Sequence, residues 1–289
     1  MVFDKKISLI GGDKRQVHLF QKLLSLKTDI KTYGLEDEQS INRKFKTENL
    51  KSAVEFADYI ILPIPISKNI GYLNAPLSKE KIKFDDEFIS LCKDKVVFAG
   101  SMPEEIFLKL QKNNRVFDYG KQENFAALNA VPTAKGAIEI AKKEIAKSLS
   151  DCKCMITGFG KVGTELAKQL KEVCDNITIC ARSQSQLEEA KKLNYAILHL
   201  NDLKRNTDFD LIFNTIPAPI FDKNILKLLN DSTFIIDLAS EPGAIDKIYA
   251  KENKIKFIHA LGIPGKMYPK AAAEIIFDTI ENIMREKNL

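Results

Sequence analysis

The chain has 289 residues, 45% hydrophobic and 29% charged, a balance typical of a soluble globular protein with room for two cores. Its formal net charge of +5 is spread along the sequence, so no basic stripe marks a nucleic-acid surface, and the longest apolar run, 59–66, is too short to cross a bilayer. Five cysteines, with no paired CxxC motif and no grouping with the three histidines, argue against a disulfide framework or a metal site and for reduced, buried thiols. With the first strand expected by about residue 6 and no signal-peptide pattern ahead of it, the expected location is cytoplasmic.

Apolar strand-like runs alternate with helical patterns over nearly the whole length, which predicts an α/β protein with parallel sheets. In the first half, strands are expected at 7–10, 30–33, 59–62, 96–99 and 115–117, enough for a flavodoxin-like substrate domain over residues 1–130. The stretch 67–84, rich in Gly, Asn and Pro, reads as a long loop or hairpin of the kind that carries function. Residues 129–133, NAVPT, separate the halves, and a long helix over 134–149 joins them. Strands at 152–157, 177–181, 196–198, 211–214, 234–237 and 256–259 then build a Rossmann dinucleotide-binding domain over 131–270. A last helix, 270–287, lies in a segment, 271–289, expected to return to the first domain. The fold class is thus two doubly wound parallel-sheet domains joined by a long helix, the second binding NADP.

The cofactor reading rests on residues 152–183, where a short strand runs into Gly158-x-Gly160-x-x-Gly163, an amphipathic helix and a second strand. Gly158 permits a tight turn, Gly160 lets backbone approach a pyrophosphate, and Gly163 allows the helix to pack close to the strand. Lys161 and Val162 complete the turn. An NAD site places a carboxylate at the end of the second strand to hold the ribose 2′-hydroxyl; this chain has Arg182 and Ser183 there, which suit a 2′-phosphate and favour NADP over NAD. Arginine is scarce, at six of 44 basic residues, so Arg182 and Arg15 at strand-to-helix turns stand out.

In open α/β sheets the ligand lies beyond the carboxyl ends of the strands. In the second domain that edge carries Thr215 and Pro217, then Asp237, then the loop from Ala260 to Lys266. In the first it carries Asp13 and Arg15, the 63–67 turn, and Ser101. Asp13 reads either as a helix cap or as a group facing substrate, with Arg15 either exposed or free to clamp an acid bidentately. His259 ends a strand and is either a proton acceptor or a structural histidine.

Seven strings in order, GGDKRQ at 11–16, NAVPTAKGA at 129–137, GFGKVG at 158–163, ARS at 181–183, NTIPA at 214–218, IDLASEPG at 236–243 and ALGIPGK at 260–266, resemble the A subunits of dipicolinate synthases. The resemblance implies oxidation of dihydrodipicolinate, a lysine-pathway intermediate, to dipicolinate during endospore formation. It also implies a partner, a smaller flavoprotein-like B subunit, and a place in the mother cell. Under it, Asp13, His259 and Lys266 are the catalytic candidates and Arg15, Ser101 and Thr133 the substrate-holding ones. Arg15 and Lys266 would anchor the two carboxylates, while Asp13 or His259 would take the proton. Homo-oligomerisation is compatible with this reading. Two alternatives stay open, a non-catalytic dinucleotide- or substrate-binding partner of B, and a solitary oxidoreductase like the 2-hydroxyacid dehydrogenases, whose Arg/Glu/His set is not recognisable here.

Overall fold

The computed structural model describes residues 5–68 and 71–289, which form two compact units, Met1–Leu128 with Tyr268–Leu289, and Asn129–Met267. In the first unit, β1 (Ile7–Ile10), α1 (Lys14–Ser25), β2 (Ile30–Tyr33), α2 (Leu50–Phe56), β3 (Tyr59–Ile61), α3 (Asp86–Leu91), β4 (Val96–Ala99), α4 (Glu104–Gln111) and β5 (Arg115–Asp118) follow one another. Its sheet is all parallel in the order β2-β1-β3-β4-β5, the doubly wound arrangement whose strand order reverses between β1 and β3. Every residue of β1 and β3 is buried, as expected of strands covered by helices on both faces.

The long helix α5 (Glu123–Glu144) carries the chain out of the first unit. It differs from the expected helix over 134–149, since it starts eleven residues earlier and runs straight through Pro132. Proline inside a helix removes a backbone donor and costs about 3 kcal/mol. Ala130, Ala134, Ala137 and Ala141, all buried, form a stripe of strong helix formers that keeps the helix continuous across it. The helix then ends at Glu144, short of Leu149, which opens a separate 3₁₀ turn.

The second unit contains β6 (Cys154–Thr157), α6 (Lys161–Leu170), β7 (Ile177–Ala181), α7 (Gln184–Lys192), β8 (Ala196–His199), β9 (Leu211–Asn214), α8 (Lys223–Leu226), β10 (Phe234–Asp237), α9 (Lys247–Glu252), β11 (Lys256–His259) and α10 (Ile263–Met267). Its sheet order, β11-β10-β9-β6-β7-β8, is that of a Rossmann domain, with the strand order reversing between β6 and β9. The two doubly wound parallel-sheet domains expected are therefore the ones observed. All five cysteines are free and buried.

The last helix, α11 (Pro269–Glu286), packs on α1 inside the first unit. Val17, Leu19, Phe20 and Leu23 of α1 share one core with Ile276, Phe277, Ile280, Ile283 and Met284 of α11. Each such fully buried side chain contributes about 1.5–3 kcal/mol relative to leaving it in water. No helix among the described residues is long and apolar enough to cross a membrane.

Candidate functional site

In the second unit, the three glycines after β6 have three separate geometries. Gly158 has φ +86°, and a Cβ there would lie 2.5 Å from the Thr215 Oγ1. A Cβ on Gly163 would lie 2.2 Å from the Gly158 carbonyl oxygen, so α6 can seat against the turn only with hydrogen at that position. Around Gly160, by contrast, a Cβ would meet nothing within 4 Å. Gly160 is the N-cap of α6 and no side chain caps the helix. The helix N-terminus thus opens onto space beside bare backbone, the arrangement that receives a pyrophosphate, and the residues fit a dinucleotide.

Arg182 follows directly on β7, beside β6 in the sheet, and is exposed. Among the described residues no carboxylate stands within ion-pair distance of it. Its backbone carbonyl accepts a 3.2 Å hydrogen bond from His199 Nε2, which holds the turn while leaving the guanidinium free to reach outward. Ser183 is also exposed, its hydroxyl 2.7 Å from that of Ser185. Lys161 and Val162 open α6, and Lys161 is exposed.

Behind the turn a buried polar chain crosses three strand ends. Thr157 Oγ1 donates to Asn214 Oδ1 at 2.6 Å, and Asn214 Nδ2 donates to Asp237 Oδ1 at 2.7 Å. Asp237 further accepts from the Ala239 and Ala244 amides at 3.1 and 2.7 Å. Thr215 Oγ1 donates to the Thr157 carbonyl at 2.8 Å, which fixes Thr215 against Gly158. Pro217 lies two residues on and is exposed. Asp237, expected to face the cofactor, is fully buried with both carboxylate oxygens taken by protein donors. It instead fixes the loops that follow β9 and β10. Asn214, expected from the sequence to face the nicotinamide ribose, instead links Thr157 to Asp237. Sequence reasoning missed Thr157; a polar residue closing an otherwise apolar strand was the signal.

His259, at the end of β11, donates from Nε2 to the Ala239 carbonyl at 2.7 Å, and its Nδ1 lies 3.6 Å from Glu241 Oε1. The ring is therefore oriented, with Nδ1 as the nitrogen not held by backbone. Lys266 is exposed on α10. Thr133 sits in α5, its hydroxyl donating to the Asn129 carbonyl at 2.7 Å in an ordinary intrahelical bond.

In the first unit, Asp13 is both cap and ion-pair partner. It accepts from the Arg15 amide at 3.0 Å, and from Arg15 Nε and Nη2 at 2.9 and 2.8 Å. Arg15 Nη2 also donates to the Ile64 carbonyl. The expectation of an Arg15 free to clamp an acid is thus corrected, because one edge of its guanidinium already holds a carboxylate bidentately. Burial pushes the Asp13 carboxyl up, but the Arg15 hydrogen bonds and charge, aided by Lys68, hold it below its ordinary value, which disfavours it as a proton acceptor. Ser101 is exposed at φ +54°, its amide donating to Asp118 Oδ1 at 3.0 Å. Asp118 also accepts from Met102 and Gly120, so one carboxylate locks the turn after β4 to the one after β5. Burial pushes the Tyr119 phenol well up, and it stays protonated to donate to the Leu62 carbonyl at 3.0 Å. Asp13, Arg15 and Ser101 therefore share the carboxyl edge of one sheet, whereas Thr133, His259 and Lys266 belong to the other unit.

The 67–84 stretch is a hairpin-like excursion whose arms meet at the antiparallel Tyr72–Lys83 bridge and the 2.9 Å Leu73 amide to Ile82 carbonyl bond. Asn69 and Ile70, at its start, lie outside the described residues. Among the described residues no group of three or more His, Cys, Asp or Glu could hold a metal ion.

Comparison with known proteins agrees with this division. Residues 6–118 match the family model for the N-terminal domain of the dipicolinate synthase A subunit, and residues 139–260 match that of shikimate / quinate 5-dehydrogenase. The chain is 26% identical over 290 residues to the dipicolinate synthase A subunit of Bacillus subtilis (strain 168), covering 99% of this chain and 98% of that protein. The crystal structure of the dipicolinate synthase A subunit from Bacillus halodurans superposes with a TM-score of 0.88 at 27% identity, covering 98% of this chain and 99% of that one. A transhydrogenase from Sinorhizobium meliloti, 14% identical over 98% of this chain and 94% of its own, shares the fold with a TM-score of 0.70. The resemblance read from the sequence is borne out along the whole chain, and the dehydrogenase-like domain supports an oxidoreductase that uses a nicotinamide dinucleotide.

Proposed function

We propose that this chain, whose likeness to the dipicolinate synthase A subunit runs from end to end, is the oxidoreductase component of such a synthase. It converts dihydrodipicolinate to dipicolinate with NADP⁺, together with a B subunit, in the mother-cell cytoplasm of a sporulating bacterium. The observation that carries the reading is the turn from Gly158 to Gly163 beside Arg182, which has no ion-pair partner among the described residues, in a chain similar to a dipicolinate synthase A subunit over 99% of its length. When bound, the nicotinamide supplies the hydride acceptor.

The chain's own residues supply position and proton handling. Gly160 and the start of α6 receive the pyrophosphate, and Arg182 with Ser183 receives the 2′-phosphate. Thr215 and Pro217 border the nicotinamide ribose. The substrate is a small dianion; of the residues expected to hold it, Lys266 is an exposed cation in the second unit, whereas Arg15 already pairs with Asp13 and the Thr133 hydroxyl with the Asn129 carbonyl. Oxidation removes a hydride and a proton from the ring, and the proton goes to His259 Nδ1, since Nε2 is committed to the Ala239 carbonyl. Because the ring becomes aromatic, a weak acceptor suffices.

The test is NADPH formation from freshly generated dihydrodipicolinate by the purified chain, alone and with its B subunit, with flavin present or removed. NADPH formed only when this chain is present, and without flavin, supports the assignment. Turnover by B alone with flavin would reduce this chain to a binding partner.

A further inference from the structure

The first unit holds an open cavity of about 600 Å³ lined by Lys68 and by residues between Tyr72 and Ile82. That size lies within the ~300–1,000 Å³ usual for small-molecule sites. The hairpin leaves the sheet after β3 and returns over β1, where the Gly12 amide donates to the Asn74 carbonyl at 2.8 Å and a Cβ on Gly11 would lie 2.6 Å from Leu73. This is the point where strand order reverses in the β2-β1-β3-β4-β5 sheet, the position at which doubly wound sheets take their ligands.

The walls are built rather than incidental. Leu73, Ile82 and Phe84 anchor the hairpin in the core beneath, and Asn74, 6% exposed, donates from Nδ2 to the Pro65 carbonyl at 3.1 Å. Three lysines face the cavity, Lys68 from one arm and Lys79 and Lys81 from the other, against a single carboxylate, Glu80. None of the three forms an ion pair among the described residues, although most ion pairs elsewhere in the chain engage a lysine. Tyr72 contributes a flat ring, with Lys81 Nζ 5.5 Å from its centroid. Lys68, which borders the cavity, also helps to stabilise the Asp13 charge.

We propose that this pocket is the capture site for the dicarboxylate ligand, an assignment that rests on the oxidoreductase reading above. Cations on opposite arms suit a small body with a carboxylate at each end, and the Tyr72 ring and apolar floor suit a planar ring between them, a combination a bare phosphate would not use.

Dipicolinate itself is the probe, titrated by calorimetry into wild type and the Lys79→Gln/Lys81→Gln variant at low and moderate salt. The expected result is binding to wild type that weakens with salt, and at least tenfold weaker binding to the double variant. NADP(H) affinity and melting temperature should be unchanged, because both lysines are exposed. A Lys68→Gln variant should weaken dipicolinate in the same direction. Equal dipicolinate affinity in wild type and double variant overturns the pocket while leaving the oxidoreductase reading standing. A wild type that neither binds dipicolinate nor forms NADPH overturns both.

Discussion

A Cβ placed on Gly163 would sit 2.2 Å from the carbonyl oxygen of Gly158, with backbone on both sides of the contact. Neither partner can rotate away. Gly163→Ala should therefore push α6 off β6, destabilise the protein by about 1–3 kcal/mol or more, and abolish dinucleotide binding. Gly160→Ala meets open space, so it should melt like wild type yet lose NADP(H) affinity at least tenfold, because the new methyl stands where the pyrophosphate approaches. Thermal melts alongside fluorescence titration of NADPH separate the two. A Gly160→Ala protein with full NADPH affinity would remove the turn from the cofactor site.

Arg182→Ala tests the choice of cofactor. A charge-assisted hydrogen bond contributes about 1.5–3 kcal/mol, so NADP(H) should weaken roughly 10- to 150-fold while NAD(H) changes less than about twofold. Parallel loss of both would show that Arg182 does not read the 2′-phosphate.

The buried chain from Thr157 through Asn214 to Asp237 predicts a stability defect with no direct cofactor contact. Asn214→Ala leaves the Thr157 hydroxyl without its acceptor and Asp237 without one donor, in a region sealed from water. Urea unfolding should show a loss of about 2–4 kcal/mol. A midpoint within error of wild type would mean that the loops after β9 and β10 hold themselves.

The Asp13 carboxyl, held below its ordinary value of 3.8 by Arg15 despite its burial, makes part of the stability depend on acid. A depressed carboxylate contributes fully above its unfolded value and loses that contribution as the pH falls through the folded one. Asp13→Asn should accordingly be less stable than wild type at pH 6, and the gap should narrow as the pH drops below about 4. Urea midpoints at pH 6 and pH 3 measure it. A constant gap would show that the pair's ionisation does not matter to folding.

The strands were legible because parallel strands covered on both faces are nearly unbroken apolar runs, as Tyr59–Ile61 and Val96–Ala99 illustrate. The glycine turn was legible because its spacing encodes steric demands that the structure shows at Gly158 and Gly163, while Gly160 borders open space. Pro132 misled because local propensity marks a break, whereas the buried alanines that override it act through packing. Asp13, Arg15 and Asp237 show the other limit. A polar residue at a strand end can turn toward a ligand or toward its own loop, and one-dimensional spacing does not distinguish them.

The seam between α1 and α11 joins residues at opposite ends of the sequence, with the whole second unit made between them. On the ribosome, the second unit has all its strands before α11 exists, so it can fold while the first waits with Val17, Phe20 and Leu23 bare. A chain released after residue 267 would carry an intact dinucleotide domain tethered to an uncovered apolar face. Such a product should be met by chaperones or proteases before it is met by substrate.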